Sequence, residues 1–87
     1  VLVENFNIGD YVFIGLEYSH IGPLHNSYDR IINIKDNIIS LETFEYDIHI
    51  SNYNRYFYIA PDSYGDSKLY NVFLNKISFS TYIKTKL

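Results

Sequence analysis

Residues 44 to 50, Phe-Glu-Tyr-Asp-Ile-His-Ile, alternate apolar and polar side chains without a break. A period of two marks a half-buried β-strand. Phe44, Tyr46, Ile48 and Ile50 fall on one face and Glu45, Asp47 and His49 on the other, so this stretch belongs in a sheet packed against something apolar. The pattern bears on architecture and is silent on chemistry.

Chain length sets the scale of that sheet. Eighty-seven residues make one small domain, and a chain this short buries only about 60% of the surface its unfolded form exposes. Hydrophobic residues at 47% against charged residues at 20% place it among globular domains rather than disordered tails. Thirteen Ile and nine Asn, against a single Ala and no Gln, Met, Trp or Cys, favour strands and turns because good helix formers are scarce. The class reads as mainly β: a small antiparallel barrel or sandwich with at most one short helix or irregular arm. The start at Val1 reads as a domain or fragment of a larger chain or assembly. No stretch reaches the roughly 20 apolar residues of a membrane span and no leader is visible, so the expectation is a soluble domain without a membrane partner. Lack of Cys excludes disulfides and thiolate metal sites, and with no leader favours an intracellular setting.

Turn chemistry at Gly9-Asp10, Gly22-Pro23, Asp36-Asn37, residues 51–54 and residues 61–66 leaves strand-sized segments between. Strands are expected at 11–16, 28–34, 38–43, 44–50, 55–59 and 77–83. The second and third form a hairpin, with Ile32 and Ile34 facing Ile38 or Ile39 across Asp36-Asn37. Between Asp66 and Ile77 the residues Leu69, Val72, Phe73 and Lys76 fall at i, i+3, i+4 and i+7, which predicts a short helix capped by Asp66 or Ser67, with an irregular arm as the alternative. The expected core is Val12, Ile14, Ile32, Ile34, Phe44, Tyr46, Ile48, Phe57 and Phe79.

Charge is divided along the chain: residues 1–62 carry nine acidic and three basic side chains, residues 63–87 one acidic and four basic. An acidic body disfavours duplex nucleic acid, whose phosphates need a contiguous basic patch; the basic tail with Lys68, Lys76, Lys84 and Lys86 is the one route to it. His20, His25 and His49 lack metal-ligand spacing and read as ordinary surface histidines, so no metal or cofactor is expected. There is no Gly-x-Ser-x-Gly turn, and Glu45 and Asp47 read as solvated charges on a strand, so no catalytic residue is assigned. What remains are aromatics around Arg55 and in the loops. Tyr53 and Tyr64 lack an automatic burial partner, and Tyr with Arg is the pairing that most often anchors interfaces.

The order of the segments carries a resemblance. Gly9-Asp10-Tyr11-Val12-Phe13-Ile14, Tyr28-Asp29-Arg30-Ile31-Ile32-Asn33-Ile34, Tyr56-Phe57-Tyr58-Ile59-Ala60-Pro61-Asp62, Asn71-Val72-Phe73-Leu74-Asn75 and Ile83-Lys84-Thr85-Lys86 together resemble the bromo-adjacent homology (BAH) domain. The resemblance implies an SH3-like β-barrel with an irregular arm, acting as a non-catalytic protein-interaction module, often on chromatin, with binding loops at His20 to Ser27 and Tyr53 to Arg55. Together with the loop aromatics, this gives Tyr53, Arg55, Tyr64 and His25 as the expected partner-binding residues. The competing expectation is a small structural subunit or domain of a larger assembly, a virion or ribonucleoprotein particle.

Overall fold

The computed structural model describes residues 6–18, 22–53 and 55–87; for residues 17, 18 and 22–25 it describes the backbone alone. Six strands follow in order: β1 (Tyr11–Tyr18), β2 (Gly22–Lys35), β3 (Ile38–Leu41), β4 (Ile48–Ile50), β5 (Tyr56–Pro61) and β6 (Ser67–Ile77). Each pairs antiparallel with the next and β6 returns to β1, closing a barrel that one helix, α1 (Phe79–Lys86), follows. The mainly-β expectation holds.

Alternation fills the interior. Val12, Ile14 and Leu16 of β1, Ile31 of β2, Ile39 and Leu41 of β3, Ile48 of β4, Tyr58 and Ala60 of β5 and Val72 and Leu74 of β6 form one buried cluster, which Phe6 joins. The β2–β3 hairpin turns through Asp36 and Asn37, both at positive φ (52° and 63°), the backbone that a two-residue hairpin with the right twist requires. Ile34 pairs with Ile39 as expected, but the register slips between Ile31 and Asn33. That irregularity sends both Ile32 and Asn33 outward and restores Ile34 to the inner side, so Ile32 is not a core residue.

Facing along 44–50 agrees with the alternation: Ile48 and Ile50 are buried, Phe44 and Tyr46 pack half-buried on the core, and Glu45 and Asp47 are exposed. The strand itself covers only Ile48–Ile50. Upstream, Thr43 and Phe44 give their N–H groups to the Asp29 carboxylate instead of to a neighbouring strand, which ends β3 and carries the chain across to β4.

Two expectations about the C-terminal third are corrected. Residues 67–77 are a strand, not a helix or an irregular arm, because β1 and β5 hydrogen-bond β6 on both edges and period two puts Val72 and Leu74 inside while Leu69 and Phe73 point out. Residues 79–86 are helical, not the continuation of a strand at 77–83. Ser78 caps the helix by accepting from the Thr81 N–H, and Lys84 and Lys86 complement the dipole in its last turn. The helix docks through Tyr82, whose ring lies 4.6 Å from that of Tyr11; Phe79 stays exposed, contrary to its place in the expected core.

Candidate functional site

Two short loops flank β5, and each carries an exposed tyrosine. In residues 51–55, Ser51 Oγ accepts from the N–H groups of Tyr53 and Arg55, both at 3.3 Å, and Ser51 N–H donates to the Arg55 carbonyl at 2.8 Å. The loop is pinned from within, so Tyr53 stands out with 85% of its surface exposed. The Arg55 side chain beside it is exposed and makes no ion pair with a described residue.

In residues 62–66, one Asp62 oxygen accepts from the N–H groups of Tyr64 (2.8 Å) and Asp66 (3.0 Å), and Gly65 takes a φ of 87°, where a side chain would strain the backbone. Lys68 Nζ lies 3.7 Å from the other oxygen. Desolvation pushes the Asp62 carboxyl upward, but the two amide hydrogen bonds and the Lys68 ammonium outweigh it and hold the group below its ordinary value. Tyr64 sits at the tip, 88% exposed.

These loops lie at opposite ends of β5, whose six residues separate them by roughly 20 Å. Tyr64 is therefore not brought beside Tyr53 and Arg55. What joins the two ends is the outer face of the β5–β6 hairpin. Phe57 pairs with Asn71 and Ile59 with Leu69, while Phe73 lies opposite Gly15 of β1. Ile59, Leu69 and Phe73 are each more than half exposed. Phe57 stacks on His49 at 5.6 Å on the same outer side. At the Arg55 end, Arg55, Tyr56, Asn71, Val72 and Phe73 line an open groove of about 380 Å³.

His25 is in β2, not in a loop: residues 22–27, expected as a binding loop, are strand, and His20 lies outside the described residues. The backbone of His25 pairs with Leu16, Leu16 with Val72 and Val72 with Tyr56, one row across the sheet that ends beside Arg55. Its side chain lies outside what is described.

Sequence reasoning missed Asp29, which is 2% exposed and takes N–H groups from Arg30, Thr43 and Phe44. The signal was there: Asp29 stands two residues before Ile31 and so shares its inward face. It also missed a stack of Tyr46, Tyr58 and Tyr70, with ring centroids 5.2 and 4.9 Å apart and Phe44 edge-on to Tyr58. Desolvation, with Tyr70 and Tyr46 adding to it, raises the Tyr58 phenol above its ordinary value. Among the described residues no three His, Asp or Glu side chains come together as a metal site, and no helix is long and apolar enough to cross a membrane. Comparison with protein-family models, curated proteins and solved structures finds no match.

Proposed function

We propose that the domain is a non-catalytic protein-interaction module whose partner lies along the outer face of the β5–β6 hairpin, gripped at one end by Tyr53 and Arg55 and at the other by Tyr64. One observation carries the reading: Ile59, Leu69 and Phe73, each more than half exposed, lie between two internally hydrogen-bonded loops that each present an exposed tyrosine. Tyr and Arg at the ends of an apolar strip are the residue types that anchor interfaces, and loops fixed by Ser51 and Asp62 lose little entropy on binding. The likeness to BAH domains, and with it an SH3-like barrel and a chromatin-associated partner, belongs to the same proposal. It is supported by the barrel rather than by the family's arm and closing motifs, which fall on β6 and α1.

The test is a triple substitution. Tyr53→Ala with Arg55→Ala and Tyr64→Ala leaves the thermal midpoint nearly unchanged, since all three side chains are exposed, and abolishes partner capture from a lysate of the source organism. Wild-type capture persists at high ionic strength because apolar contact is not screened. Retained capture by the triple variant overturns the assignment and moves the interface to another face.

A further inference from the structure

β2 changes partners along its length. Gly22–Arg30 pair with β1, whereas Ile31–Lys35 pair with β3. Among the described residues, the first half of the strand therefore has a strand neighbour on one edge only.

Hydrogen bonds at the changeover show which backbone groups that edge presents. Ile31 points toward β1, its N–H donating to the Asp10 carbonyl at 2.9 Å and its carbonyl accepting from Gly9 N–H at 2.7 Å. Arg30 points the other way, its carbonyl accepting from Glu42 N–H at 2.9 Å. Because direction alternates residue by residue in an antiparallel ladder, Tyr28 and Asn26 also turn their N–H and C=O groups away from β1. The described group that reaches this edge is an ammonium: Lys86 Nζ, 3.5 Å from the Tyr28 carbonyl. Natural edge strands are commonly guarded by charged side chains or proline; Asn26, Ser27 and Tyr28 supply neither, and Lys86 from α1 covers the Tyr28 carbonyl alone.

Beside the edge runs a groove of about 420 Å³ lined by Ser27, Asp29, Thr43, Phe44 and Glu45. Asp29 is committed to backbone N–H groups. Glu45 is exposed and makes no ion pair with a described residue.

We propose that the free edge of β2 at Asn26–Tyr28 takes an extended peptide as an added strand, with a Lys or Arg side chain of that peptide entering the groove. Main-chain bonds to Asn26 and Tyr28 supply the pairing, with the exposed Lys86 side chain swinging off the Tyr28 carbonyl, and the groove reads the side chain: its methylenes lie on the Phe44 ring and its cationic head meets Glu45. Charge selects this occupant over a second copy of the chain, since two copies would bring together bodies of net charge −3 and two unpaired Glu45 carboxylates. The site shares no residue with the Arg55 groove, so it stands or falls apart from the hairpin face.

Amide hydrogen exchange by NMR tests it, with a capped Val-Lys-Val-Lys-Val-Lys peptide as probe and the same peptide with Glu for Lys as control. The Lys peptide slows exchange at the Asn26 and Tyr28 N–H groups and the Glu peptide does not. Asn26→Pro removes one edge donor without touching the β1 ladder and weakens binding by about tenfold or more. Glu45→Lys inverts the preference between the peptides, and the Tyr53, Arg55 and Tyr64 triple variant binds the Lys peptide as the wild type does. Equal binding of both peptides, binding that leaves both amides unprotected, or a folded Asn26→Pro variant with unchanged affinity overturns the proposal. Should Asn26→Pro not fold, wild-type amide protection decides alone. Protection without peptide that grows with protein concentration assigns the edge to a second copy and also overturns it.

Discussion

Asp29 in β2 and Asp62 in the β5–β6 loop each use a carboxylate to gather N–H groups from a segment that lacks a strand partner, one inside the barrel and the other outside it. The donors of Asp62 lie two and four residues away in sequence, so its bonds shape a turn that the chain would visit anyway. The donors on Thr43 and Phe44 lie fourteen and fifteen residues from Asp29. Those bonds hold down a crossing segment and seat Phe44 beside the tyrosine stack on the core. Removing the outer carboxylate hands its donors to water. Removing the inner one takes a buried acceptor away from part-buried N–H groups and releases a segment pinned from across the barrel, so the reach of the bonds, not their count, decides the cost.

The comparison is tested hardest at Asp29. Asp29→Ala removes the acceptor that holds the Thr43 and Phe44 N–H groups at the barrel and should cost about 2 to 3 kcal/mol in urea unfolding, a large part of the margin of a domain this small. Asp29→Asn keeps one acceptor oxygen and should cost about half as much. An Asp62→Ala variant that lowered the unfolding midpoint as far as Asp29→Ala would break the comparison outright.

A second pair sharpens it within the crossing segment. Ile48 is fully buried in β4 and Phe44 only half-buried, so Ile48→Ala should cost about 2 to 5 kcal/mol and Phe44→Ala less, although phenylalanine is the larger side chain. Glu45→Ala, pointing away from the core, should fall within about 0.5 kcal/mol of wild type. If Phe44→Ala proved worse than Ile48→Ala, the crossing segment would be more deeply packed than its exposure indicates.

The same contrast between local and distant bonding governs what could be read from the sequence. Period two gave the facing of 44–50 correctly, because facing depends on which side chains seek the core. It could not give the strand's length, because what ends the ladder is a carboxylate on β2. Leu69, Val72, Phe73 and Lys76 imitated a helical stripe, and only hydrogen bonding to β1 and β5 on either side overrode it. The strand expected at 77–83 runs through Ser78, whose capping role lacks the sequence mark of a capping box because Thr81 stands where Glu or Gln would complete it. Turn residues placed Tyr53 and Tyr64 in loops. That the loops sit at opposite ends of β5 and are joined by an exposed hairpin face follows from register, which no single segment encodes.

The smallest expected effect lies at Asp62 and is read as a function of pH. Its carboxyl titrates below the ordinary 3.8 because the Tyr64 and Asp66 amides and Lys68 favour the charged form over the desolvation that opposes it. A group whose pKa is depressed in the folded state contributes stability that is fully present above its unfolded value and disappears as pH falls through its folded one. Acidifying from about pH 4 downward should therefore loosen the 62–66 turn. The amide resonances of Tyr64 and Asp66 should shift together with a single midpoint below 3.8. In Asp62→Asn they should not titrate. Since the turn fixes Tyr64, a partner bound through the hairpin face should dissociate faster from Asp62→Asn at neutral pH, with the association rate little changed. Identical dissociation from both proteins would show that the rigidity of this loop plays no part in binding, and would confine the partner's grip to the Arg55 end.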